Sequence, residues 1–180
     1  MEKRILKLLR GFLLMLLASA GVVALLAALN WVPSLMQKDF VKQYNSIDEA
    51  KRFSGITTVL IPTYFPEGIS WPASFIVAQK RPYQALVTEF RETASGKTSL
   101  IIIQSSSPDA EKQFQRIRIS EIKEETEFPL KGRSATLRTG TCDNGMSCSS
   151  LMWQEGSLYH SVLFMSSPFE LIKVSESMIR

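Results

Sequence analysis

ALVTEFRETASGKTSLIIIQ, running from Ala85 to Gln104, decides the fold. Over Ala85–Arg91, Leu86, Thr88 and Phe90 alternate with Val87, Glu89 and Arg91, the period of a strand with one wetter face. Ser95-Gly96-Lys97 then reads as a hairpin turn. Beyond it, Leu100-Ile101-Ile102-Ile103 within Ser99–Gln104 is apolar on both faces, so this strand is expected at the centre of an antiparallel sheet. Working outward, Thr57–Ile61 and Ser74–Gln79 on one side, and Ser134–Thr139, Ser149–Gln154 and Leu158–Met165 on the other, carry the same β-branched and aromatic content. The last two are joined by Glu155-Gly156-Ser157. Arg116–Lys123 alternates Ile117, Ile119 and Ile122 with charge and reads as an edge strand, whereas the four Glu and one Lys of Glu121 to Glu127 read as a solvated turn. Ser105-Ser106-Ser107-Pro108 reads as a loop leading into a polar stretch of unassigned structure.

Two helices bracket these strands. Ser46-Ile47-Asp48-Glu49 forms a capping box that starts a helix from Ile47 to about Phe53, stopped by Gly55. Ser167-Pro168-Phe169-Glu170 repeats the device, with proline at the first helical position. The helix it opens, Pro168–Ile179, places Leu171, Val174 and Met178 on one face that must lie on the sheet. Short helix, antiparallel strands, final helix: the fold class is α+β, a curved antiparallel sheet packed against a C-terminal helix, preceded by a transmembrane helix.

That last element rests on Gly11 to Leu29, GFLLMLLASAGVVALLAAL, which carries no charge. As a helix it rises about 28 Å, close to a bilayer's hydrocarbon thickness. The chain has 180 residues with Lys+Arg 21 against Asp+Glu 17, but Lys3, Arg4, Lys7 and Arg10 stand in the first ten residues beside only Glu2. The excess positive charge is thus an N-terminal flag and no nucleic-acid surface. By the positive-inside rule it keeps the N-terminus in the cytoplasm and sends the rest across, giving a single-pass protein of the inner (cytoplasmic) membrane with Trp31 at the interface. The competing reading is a cleaved signal peptide, because Ala18-Ser19-Ala20 resembles a cleavage site. Cutting there would leave VVALLAAL on the mature N-terminus, which favours an uncleaved anchor. The organisation expected is a cytoplasmic stub and transmembrane helix over 1–30, a tether over 31–45 and an exported α+β domain over 46–180.

Ser46-Ile47-Asp48-Glu49-Ala50 leading into Ile61-Pro62-Thr63-Tyr64-Phe65-Pro66-Glu67-Gly68, then Gly132–Leu137, Leu151–Tyr159 and Glu170–Met178, resembles an uncharacterised bacterial domain family. That family is found as the exported C-terminal part of anti-sigma factors and of other single-pass membrane proteins. The resemblance covers about residues 46–180 and implies a sheet akin to lipoprotein-carrier and anti-sigma-regulator domains, with no catalytic residues to transfer. The chain departs from the family pattern in the cysteine-bearing insert at 142–148 and in lacking a recognisable sigma-binding domain.

Few residues invite chemistry. Cys142 and Cys148 flank an Asn144-Gly145 turn, well placed for a disulfide across a hairpin in an oxidising compartment. A catalytic dithiol presents C-x-x-C at a helix N-terminus instead. A copper site of both cysteines, Met146 and His160 is the metal alternative, since soft ligands suit copper. His160, the lone histidine, reads as a strand residue. Tyr64, Phe65, Trp71 and Phe75 cluster near the Pro62–Gly68 turn, either as core packing or as the lip of a partner- or ligand-binding groove. With no G-x-S-x-G, P-loop, G-x-G-x-x-G or zinc spacing, no cofactor or metal is expected and the chain reads as non-enzymatic. The function expected is an accessory or sensing protein whose exported domain binds another envelope or membrane component. The alternative is a carrier or sensor of an apolar ligand, such as a lipid or lipoprotein acyl chain, in a groove lined by Ile101, Ile103, Phe164 and Leu171.

Overall fold

The computed structural model describes residues 13, 15–27, 40–69 and 71–179, which fall into two compact units divided at Phe40/Val41. In the first, residues 15–27 are helical and every one of them is exposed. Among the described residues no helix is long and apolar enough to cross a membrane. The stretch expected to do so, Gly11 to Leu29, lies partly outside the described residues, as does most of the expected tether.

The second unit is α+β, with eight antiparallel strands in one sheet. In chain order these are β1 (Val41–Tyr44), β2 (Phe75–Gln79), β3 (Ala85–Arg91), β4 (Thr98–Ser105), β5 (Ile119–Leu130), β6 (Arg133–Cys142), β7 (Ser147–Glu155) and β8 (Leu158–Phe164). Their spatial order is β1-β2-β3-β4-β8-β7-β6-β5, so β4 is central, as its two-sided apolar character requires. Three helices pack around it: α1 (Ile47–Ser54), α2 (Ala110–Phe114) and α3 (Pro168–Met178).

Register assigns the side chains to two faces. Phe90, Leu100 and Phe164 stand abreast on one face, with Thr88, Ile102, Val162 and Leu151 in the next row. Val87, Ile103 and Ser161, with Ile101 and Leu163, occupy the other. The first face is covered by α3, whose Leu171, Val174 and Met178 are buried as the sequence pattern requires, and by α1 over Ile76, Ala78 and Leu86. The second face is covered by α2 and its flanks through Ala110, Phe114 and Ile117. Ile101 and Ile103 therefore lie across the sheet from Phe164 and Leu171, and the four do not line one groove.

At α1 the serine half of the capping box and the glycine stop form as the sequence requires. Ser46 Oγ accepts from the Glu49 amide at 3.3 Å, and Gly55 ends the helix in the left-handed region at φ 77°. At α3 only half of the box forms: Ser167 Oγ accepts from the Phe169 amide, while Glu170 turns to Tyr64 and Lys173.

Three expectations are corrected. Val41–Tyr44, read as tether, is an edge strand paired with β2. Glu121–Glu127, read as a turn, lies inside β5, the opposite edge, where exposed charges discourage further pairing. Thr57–Ile61 joins no strand, because its neighbour is a side chain: the Leu60 N–H donates to Gln104 Oε1 at 2.8 Å, and Gln104 Nε2 donates to the Leu60 carbonyl at 2.7 Å. One amide group stands in for a strand's backbone.

Candidate functional site

The Pro62–Gly68 turn runs along α3. The backbone N–H groups of Thr63 and Tyr64 both donate to Ser177 Oγ at 3.2 Å, and the Tyr64 hydroxyl donates to Glu170 Oε2 at 2.6 Å. That hydrogen bond raises the Tyr64 phenol above its usual range, while Lys173 and then Tyr64 hold the Glu170 carboxyl below its own. Next in the chain, Phe65 packs on Phe90 at 5.1 Å between centroids and on Trp71 at 5.3 Å. Trp71 also stacks on Phe90, with planes 22° apart, yet is 55% exposed. Tyr64, Phe65 and Trp71 thus belong to one surface built on the first face. Phe75 does not. As the first residue of β2 it pairs with Glu89, which puts it on the second face, with the Arg116 guanidinium 4.0 Å from its ring centroid.

Cys142 and Cys148 are bonded, with Cα atoms 5.9 Å apart and both residues buried. The turn between them is closed by Cys142 N–H to the Met146 carbonyl and Gly145 N–H to the Cys142 carbonyl, each 2.8 Å, with Gly145 at φ 79°. In the chain-entropy view so short a loop stabilises the fold by about 2 kcal/mol. The copper alternative is not assembled: His160 is on the first face opposite Trp153, whereas Cys148 is on the second opposite Gly140. Among the described residues no group of three or more His, Cys, Asp or Glu could hold a metal ion.

His160 has more to offer than strand packing. It is 2% exposed, its ring stacks on Trp153 at 5.2 Å, and burial depresses its pKa to about 4. Glu155 opposes that shift and Arg133 adds to it. The histidine lines a cavity of about 290 Å³ between Thr58 and Leu60 on one side and Glu155, Gly156 and Leu158 of the β7–β8 hairpin on the other. Glu155 Oε1 accepts from Arg133 Nη2 at 2.9 Å, but Glu155 Oε2 and His160 Nδ1 are buried without a hydrogen-bond partner among the described residues, as is Trp153 Nε1. Gln104, abreast of His160 on β4, directs its amide to Leu60, with one bond accepted at Oε1 and one donated from Nε2. Sequence reasoning passed over Glu155 as a turn residue. The only local signal was its place two residues after Trp153, on the same face as His160.

No family model, no curated protein and no solved structure matches the chain.

Proposed function

We propose that the chain is a non-enzymatic single-pass membrane protein whose exported α+β domain binds another membrane or envelope component through the Tyr64–Trp71 surface. The observation that carries this reading is Trp71: a stack on Phe90 and a tilted contact with Phe65 hold it in place while more than half of it faces outward. A rigid aromatic presented at little entropic cost is the kind of anchor that dominates protein interfaces. Tyr64, fixed by Glu170, and the 42%-exposed Ile61 extend that surface.

The anchoring part of the reading is supported by residues 15–27. Apolar side chains are exposed around this helical stretch, including Leu16, Leu17, Val22, Val23, Leu25 and Leu26, an arrangement suited to lipid and unsuited to water. With the basic residues that precede it, this favours an inner-membrane location, N-terminus inside. The buried Cys142–Cys148 bond suits an oxidising exported compartment. On this reading the domain belongs with the exported anti-sigma-type domains that its sequence resembles.

Co-purification of the full chain in mild detergent at native expression tests the proposal. A membrane partner recovered with the wild type and lost with Trp71→Ala is expected. A clean monomer, or a partner retained equally by the variant, overturns it.

A further inference from the structure

We propose that the cavity between residues 57–60 and the β7–β8 hairpin is a binding site for a small, uncharged, carboxamide-bearing molecule, held by Glu155 and His160 against Leu60 and Leu158. The inference is independent of the partner surface.

The argument begins with polar groups left over. Burying a hydrogen-bonding atom without a partner forfeits its bonds to water, so native folds rarely leave two together. Here Glu155 Oε2 and His160 Nδ1 are both unpartnered among the described residues, and both residues line one cavity of about 290 Å³. Among the described residues the nearest candidates point elsewhere: Arg133 bonds the other carboxylate oxygen, and Gln104 bonds Leu60.

The chemistry of these groups selects the ligand. Glu155 Oε2 accepts hydrogen bonds only, so the ligand must bring an N–H or O–H donor. The neutral His160 presents a donor or an acceptor at Nδ1 according to its tautomer, and a primary carboxamide satisfies either, with its NH₂ or its C=O. Charge argues for neutrality. Arg133 already balances Glu155, and His160 is uncharged at neutral pH because burial lowers its pKa to about 4. An ammonium or carboxylate would enter without a counter-charge and lose its hydration. Leu60 and Leu158 supply an apolar wall for a short aliphatic or aromatic group, and the volume lies near the lower end of the range for small-molecule sites.

Because His160 is the only histidine in the chain, its imidazole nitrogens give a single set of NMR signals. The full chain, ¹⁵N-labelled and held in detergent micelles, is titrated with isobutyramide, and in parallel with isobutyrate and isobutylamine. A saturable shift of the imidazole resonances with isobutyramide is expected, near the ~1 mM affinity open to so small a probe, with at least about tenfold weaker response to the two charged analogues. Glu155→Gln, which keeps shape and removes the carboxylate, should weaken the amide response by about tenfold or more. Leu158→Ala should weaken it without altering the preference for amide over ion. Equal shifts with all three compounds, no saturation, or an unchanged titration in Glu155→Gln overturns the proposal. Should Glu155→Gln disturb the fold, the analogue comparison in the wild type decides alone.

Discussion

The two faces of the sheet are covered by different kinds of force. On the first, α3 lays Leu171, Val174 and Met178 into a continuous apolar layer with Phe90, Leu100, Ile102, Val162 and Trp153. On the second, the five-residue α2 adds only Ala110 and Phe114 to the apolar layer and supplements them with polar contacts. Glu111 Oε1 accepts from Ser161 Oγ at 3.3 Å and from Gln115 Nε2 at 2.8 Å, while Glu111 Oε2 lies 3.9 Å from Arg138 Nη1. Arg138 in turn reaches Glu125 on the edge strand at 2.7 Å. Apolar burial is worth roughly 25 cal/mol per Å², whereas part-exposed ion pairs contribute about 1 kcal/mol or less. The first cover should therefore be part of the global fold, and the second should be able to open locally.

The largest expected effect tests the first half of that contrast. Leu171→Ala empties a fully buried position and should cost about 3 kcal/mol of global stability, measured by denaturant unfolding with an unchanged m-value. A loss below about 1 kcal/mol would mean that α3 is no firmer than α2.

Next in size is the buried imidazole on the same face. With its folded pKa lowered to about 4 from the ordinary 6.5, His160 binds fewer protons folded than unfolded across that interval. Stability is therefore fully present above about pH 6.5 and falls as the pH drops towards 4, by about 3 kcal/mol at most. Glu155, which favours the charged ring, and Arg133, which opposes it, are the charged groups acting on it. Unfolding the wild type and His160→Gln at pH 7.5 and pH 4 checks this: the wild type should lose more, and equal losses would remove His160 as the cause.

The same contrast explains what could be read in the sequence. The β3–β4 hairpin, the caps of α1 and the buried stripe of α3 depend on residues within a turn or a strand of each other, and their periodicity is visible locally. Elements decided across the sheet were not legible. Val41–Tyr44 is four residues with Lys42 and Gln43 facing outward, too short for a pattern. Thr57–Ile61 has a strand's composition but finds the side chain of Gln104 where a strand would offer backbone. Glu170 satisfies the capping-box pattern, yet Tyr64, distant in sequence, draws it away. Phe75 stands close to Trp71 in the chain, but strand register sends it to the opposite face. The cavity at His160 was equally hidden, since the placement of Gln104 beside it and the pairing of Arg133 with Glu155 exist only once β4, β6, β7 and β8 have come together.

The smallest expected effect is the most discriminating. Glu111→Gln keeps the side chain's length but removes the charge facing Arg138, and should cost about 0.5–1 kcal/mol. If α2 is a polar clasp over the second face, that loss appears as local opening: exchange of the Lys112 and Gln115 amides, which bond within the α2 segment to Asp109 and Glu111, should quicken severalfold. Amides of β4 and β8 should keep their wild-type protection, because α3 and the first-face core still hold them. Faster exchange spread evenly over sheet and helix would show instead that both covers open as one cooperative unit. The difference between the faces would then be one of composition alone, with no consequence for motion.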